Sequence, residues 1–264
     1  MEARPSRACA DSAGMTRSRY EGVRNIVRFN WPIFVCTALV VTVATIGAAI
    51  VETPLQRVLF TLLAAVLIIG TTVSLTVSHL IYDRSDLYRF AWLSRALSDV
   101  PPRRATFCQT GFDECSAPLA ALLRDTIWTL LDHYDPAWMT EASIQRARHR
   151  CPPASGTIAA PFGAWPVAEG TADVVIGMLA VHELRRDEER VAWFAEAHRV
   201  TRRGGRVILV EHVRDLANTL VFGPGALHFH SIATWRRSWE HAHLRLRDDF
   251  RVTFWVRVFV LEHA

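Results

Sequence analysis

Histidines and carboxylates gather at positions where the strands of a sheet would end. His182-Glu183 follows the apolar run Ala172–Leu179, Glu211-His212 follows Arg206–Val210, and His228-Phe229-His230 comes soon after. Imidazole titrates near neutrality, so His182, His212 and His228 are candidate general bases for deprotonating a hydroxyl or an activated carbon. Joined by Glu183 or Glu211 they have the donor types of a metal site. Their spacing matches no ligand pattern, however, and Arg185-Arg186 stand where an HExxH sequence would continue, so no metal is expected. Hydrogen-bonding loop histidines are the plainer alternative. Further upstream, Asp132 ends the run Ile127–Asp132 and Asp135 follows it; each can accept hydrogen bonds from ligand hydroxyls or cap the helix after Pro136. Thr110 and Gly111 form a turn after Ala105–Gln109, with Asp113 and Glu114 just beyond.

These residues need a sheet to bring them together. Ala172–Leu179 and Arg206–Val210 are continuous apolar runs of the kind buried on both faces of a parallel sheet. Ala105–Gln109 and Ile127–Asp132 are weaker strands, and Thr157–Ala160 is a marginal one. Between the two strong runs, Asp187–Val200 places Val191, Phe194, Ala195 and His198 on one helical face, with three acids in its first turn, and Gly204-Gly205 ends the segment. Strand, helix, glycine turn and strand form a right-handed βαβ unit. The tail holds two strands near LRLRDDF and WVRVFVL with no helix between them, an antiparallel pair at one edge. The class is therefore α/β with a mostly parallel sheet.

The N-terminal part is of another kind. Residues 31–51 and 58–78 carry no charged side chain, and each run is long enough to cross a hydrocarbon core of roughly 30 Å. Arg flanks both outer ends, while the link Glu52–Arg57 holds one acid and one base. The positive-inside rule therefore puts both flanks in the cytoplasm, making a multi-pass inner-membrane protein. Residues 1–30 read as a mobile basic arm, 31–81 as a transmembrane hairpin, and 82–103 as an amphipathic connector with Leu87, Phe90, Leu93 and Leu97 at helical spacing. All 30 basic residues are Arg, yet 26 acids leave a net charge of only +4, so a nucleic-acid partner is not expected. Five cysteines at irregular spacing argue against a disulfide framework and point to reduced thiols.

The stretch from Pro161 to His212 resembles the second half of a class I S-adenosylmethionine-dependent methyltransferase. Trp165-Pro166 and Ala172-Asp173 match the approach to its fourth strand. Arg199-Val200, Gly204-Gly205-Arg206 and Val210-Glu211 match the helix end, glycine turn and fifth strand that follow. LLDHYDPAWMTEASIQRAR looks like its second strand and next helix. The resemblance covers residues 104–264 and implies a Rossmann-like sheet whose last strand is antiparallel, with S-adenosylmethionine as cofactor. It implies a ribose-binding role for Asp132, with Asp135 as second choice, and places Thr110, Gly111 and Asp113 in the cofactor turn. That turn has one glycine where the family usually has three, and Phe112 stands where a second would leave room. Two functions follow from the resemblance: a membrane-anchored methyltransferase acting on a small or lipid-like acceptor, or an inactive domain serving as a tethered scaffold.

Overall fold

The computed structural model describes residues 17–98 and 102–264. They separate into two compact units, Ser18–Arg84 and Ser85–Ala264, with Arg17 belonging to the second.

The first unit is helical. Helix α1 spans Glu21–Phe29, α2 Trp31–Ile50 and α3 Pro54–His79, followed by a π-helical turn over Leu80–Arg84. Glu21–Phe29 is thus ordered helix rather than part of a mobile arm. The side chain of Asp83 anchors its start, accepting from the backbone N–H of Gly22 at 2.6 Å and of Val23 at 3.3 Å. That arrangement satisfies two of the donors that a helix N-terminus leaves without partners. The expected arm residues 1–16 lie outside the described residues. The two long helices have a mean hydropathy of 2.5 and 2.4, and only 6% of each is buried. They touch through small residues: Ala44 is buried and a Cβ added at Gly47 would stand 3.2 Å from the Phe60 ring, whereas Gly70 faces open space.

The second unit begins with a segment that is only partly helical. Helix α4 is confined to Trp92–Ala96, because Phe90 sits at φ 57, a left-handed conformation that ends regular helix. The helical spacing of the connector is thus realised only in one short helix, and Leu87, Phe90 and Leu93 are all buried. The sheet then runs β1 (Arg104–Gln109), β2 (Ile127–Asp132), β3 (Ile158–Ala159), β4 (Ala172–Met178), β5 (Thr201–His212), β6 (Leu244–Arg251) and β7 (Val256–His263). Its order is β3-β2-β1-β4-β5-β7-β6. Strands β1 to β5 are parallel, and β7 enters antiparallel between β5 and β6. Helices α5 (Ser116–Leu122), α6 (Ala142–Arg150), α7 (Asp187–Val200), α8 (Leu216–Phe222) and α9 (Ile232–His241) complete the unit.

An aromatic chain fastens α7 and α9 to the sheet. Trp193 meets Phe194 edge-on at 5.1 Å, Phe194 meets Trp235 at 6.2 Å, and Trp239 meets Phe259 of β7 at 5.4 Å. Each fully buried side chain of this size contributes roughly 1.5–3 kcal/mol, so this face is rigid support. At the opposite end Asp173 accepts from the N–H groups of Arg103 and Arg104 and pairs with Arg202. Burial opposes ionisation there, but these partners hold its carboxyl below the usual carboxylate range. Asp173 thereby fixes where β1 starts against β4, and with it the positions of their carboxyl ends. The Gly204-Gly205 turn appears as a bulge: Ala172 pairs with Thr201, but Val174 pairs with Arg206. Cys36, Cys108 and Cys115 are free thiols, whereas Cys151 is disulfide-bonded, correcting the expectation of thiols throughout. Cys9 lies outside the described residues.

Candidate functional site

Strand β1 delivers Gln109, Thr110 and Gly111 to the carboxyl end of the sheet, beside Asp132 at the end of β2. Gly111 adopts φ +94 and donates its N–H to Asp132 Oδ1 at 3.0 Å. The N–H of Tyr134 donates to the same oxygen at 3.0 Å. Arg148, reaching over from α6, donates to Oδ2 at 2.5 Å and lies 4.5 Å above the Tyr134 ring. Asp132 is 2% exposed. A Cβ at position 111 would stand 2.8 Å from the Tyr134 ring and 3.1 Å from Ile144. Glycine is therefore needed both for the backbone conformation and for the close approach. The ring that a side chain at position 111 would meet is that of Tyr134, because β1 and β2 end level with each other.

The other expected cofactor residues have local work. Thr110 donates its hydroxyl to the Ala180 carbonyl at 3.1 Å, tying the turn to the end of β4. Asp113 caps α5, accepting from the N–H of Cys115 and of Ser116, each at 2.9 Å, and from the Ser116 hydroxyl. Asp135 is exposed and accepts from the Ala137 N–H at 2.8 Å. Glu114 is taken up by the Tyr88 hydroxyl at 3.0 Å and by Arg17 at 3.2 Å. Gln109 escaped the sequence reading. It is 2% exposed, and neither its Oε1 nor its Nε2 has a hydrogen-bond partner. A polar residue closing an otherwise apolar parallel strand was the available signal, since ligands bind outside carboxyl ends.

The carboxyl ends of β4 and β5 bring two of the three candidate bases together. Glu211, fully buried, accepts from the N–H groups of Ala180, Val181 and His182, and pairs with His182 Nδ1 at 2.8 Å. Burial alone would push this imidazole down, but Glu211 and Glu183 override it and carry its pKa up to about 10. His182 is thus a cation at neutral pH. His212, next in sequence to Glu211, has its Nδ1 3.1 Å from both Asn218 Oδ1 and the Trp255 carbonyl, and stacks on Phe229 at 4.8 Å. Burial pushes its pKa down to about 4, so it is neutral. His228 stands apart at the exposed rim, paired with Glu141 at 2.8 Å. His230 is also pushed down to about 4, first by burial and then by Arg190. Among the described residues no three His, Cys, Asp or Glu side chains are arranged to hold a metal ion.

Residues 137–209 match the family described as "Methyltransferase domain". A crystal structure of a SAM-dependent methyltransferase from Aquifex aeolicus shares the fold, at 12% identity over 74% of this chain and 98% of that one, with a TM-score of 0.52. The sheet domain has the class I methyltransferase fold. The structure of the mitomycin 7-O-methyltransferase MmcR is similar as well, at 16% identity over 97% of this chain and 76% of that one, with a TM-score of 0.52. No curated protein matches in sequence. The family match opens after Asp132, so the turn that carries Gly111 lies outside it. It closes at Leu209 within β5, just before Glu211 and His212.

Proposed function

We propose that this chain is a membrane-anchored methyltransferase that uses S-adenosylmethionine to methylate a small or lipid-like acceptor. The observation that carries this reading is the contact between the Gly111 N–H and Asp132 at the carboxyl ends of adjacent parallel strands, in a sheet of methyltransferase order. Gly111 gives the backbone close approach, Thr110 holds the turn, and Gln109 offers an amide with unused donors and an unused acceptor. Asp132 keeps acceptor capacity on Oδ2 and fits a ribose hydroxyl there; a second hydroxyl fits once Arg148 withdraws. Asp113 and Asp135 support the site by shaping the flanking turns. The bound cofactor supplies an electrophilic methyl on a sulfonium.

Toward the acceptor, His182 offers a fixed positive charge for an oxygen that loses its proton. His212 is in the neutral form a base requires, although its depressed pKa makes it a weak one. His228 belongs to the rim and acts on entry rather than on the proton. Phe222 and Phe229 pack around His212 at 5.4 and 4.8 Å and keep water from it. The two apolar helices favour an inner-membrane anchor with the methyltransferase domain on the cytoplasmic side, because Arg lies at their outer ends. A buried soluble hairpin would cover these helices, and their outward side chains, including Leu39, Val43, Leu62 and Ile69, are instead exposed.

A second reading has its own support. Arg148 and Tyr134 take up part of the space over Gly111, as expected of a domain that kept the fold and serves as a tethered scaffold. Incubating the full-length protein in detergent with methyl-tritiated S-adenosylmethionine and a membrane-lipid extract separates the two. Organic-phase label that vanishes in Asp132→Ala supports the enzyme. Failure to bind the cofactor, with no label in any fraction, supports the scaffold.

A further inference from the structure

Among the described residues of the sheet domain, the most exposed large apolar side chains are Leu220 at 74%, Leu216 at 73% and Leu227 at 71%. All three belong to one short segment, α8 and the 3-10 turn Gly223–His228 that packs against it. Leu216 and Leu220 lie one helical turn apart on a single face. The β6–β7 loop is moored beside them. Asn218 Nδ2 donates to the Trp255 carbonyl at 3.1 Å, Arg251 faces Asp215 at 3.8 Å, and Arg251 holds the carbonyl of Phe254, itself 63% exposed.

The segment is apolar on both sides. Its inner side gives Phe222 to the aromatic wall around His212. Its outer side presents leucines that nothing in the fold requires at the surface, and contiguous exposed apolar patches mark interaction sites. Arg214 and Arg251, both exposed, flank the patch, while Asp215 is occupied by the Asn218 N–H and by Arg251. Leucine and phenylalanine bordered by arginine suit the boundary between phosphate headgroups and acyl chains. We propose that this cap docks on the surface of a lipid bilayer, seating Leu216, Leu220, Leu227 and Phe254 among the lipids with Arg214 and Arg251 at the phosphates. The inference rests on the anchored reading above. The second unit follows Arg84 directly in the chain, so an anchor in residues 31–81 tethers it to the membrane. An acceptor dissolved in lipid then meets the His212 end of the site without crossing water.

The test uses the full-length protein, with Cys36 replaced by Ser, in nanodiscs of zwitterionic and anionic phospholipid. Single nitroxides are placed at Leu220→Cys, at Leu62→Cys in α3, and at Ile127→Cys on the amino edge of β2. Relaxation by oxygen is compared with relaxation by an aqueous nickel chelate. The Leu220 label is expected to favour oxygen, as the Leu62 label does, while the Ile127 label favours the chelate. A Leu220 label that follows Ile127 while Leu62 stays in lipid overturns the docking proposal and leaves the anchor standing. A Leu62 label open to the chelate overturns both. A Leu220 label shielded from both reagents marks a protein contact and also overturns the proposal. Leu227→Cys repeats the measurement should Leu220→Cys misfold.

Discussion

Arg148 donates to Asp132 at 2.5 Å while lying over the Tyr134 ring, so the carboxylate that ends β2 is neutralised from within the chain. In an active enzyme this pair acts as a competitor for the cofactor. Arg148→Ala should therefore bind S-adenosylmethionine about 3–10-fold more tightly, because the ribose no longer displaces a cation. The same change should lower stability by about 1–3 kcal/mol, the usual cost of losing a hydrogen bond to a charged group. Titration calorimetry and chemical unfolding of the same two proteins check both directions.

Gly111→Ala should cost about 1–3 kcal/mol and weaken cofactor binding at least tenfold, because strain at φ +94 adds to the approach of Tyr134 and Ile144. Gly170 is the matched control. It has φ +64 with open space around it, so Gly170→Ala should lose only about 1 kcal/mol and bind normally. Equal binding by the two variants would show that the turn at Gly111 has no ligand role.

Toward alkaline pH, stability should fall through His182. Its folded pKa of about 10 lies above the ordinary 6.5, so the folded state holds the proton more tightly. The stabilisation is complete below pH 6.5 and is lost as the pH climbs toward 10. Urea unfolding followed by near-ultraviolet circular dichroism across that range should show the loss, and His182→Gln should flatten it.

Toward acid the sign reverses. His212 and His230 are held neutral, with folded values of about 4, so the unfolded chain takes up protons first. Stability should drop as the pH falls from 6.5 toward 4, with His212 alone contributing a slope that approaches ~1.4 kcal/mol per pH unit. His212→Asn should remove most of its share in the same unfolding series.

Much of this arrangement is legible in the sequence where local pattern and burial agree. Helix α7 runs over Asp187–Val200 as its acidic first turn and apolar face predict, and β4 follows its continuous apolar run. The hairpin helices follow their uncharged runs, although α3 starts earlier, at Pro54, because proline suits the first turn of a helix. What periodicity misses is set by tertiary contact. Phe90 breaks the connector at a positive φ that its spacing does not reveal. Asp113 caps α5, a role its spacing does not reveal, and Asp135 takes up the Ala137 N–H of a turn rather than capping a helix after Pro136. The Arg148–Asp132 pair joins positions in different elements, and no spacing rule links them. His182 and His212 share a strand-end environment yet carry opposite charge states, since the Glu211 carboxylate pairs with one ring and not with the other.

The central claim, that the turn at Gly111 and the carboxylate of Asp132 hold S-adenosylmethionine, is tested most directly by equilibrium binding of the radiolabelled cofactor to full-length protein in detergent. Saturable binding, displaced by S-adenosylhomocysteine and lost in Asp132→Ala, is the predicted result. Absence of saturable binding in both the wild-type protein and Arg148→Ala would contradict it.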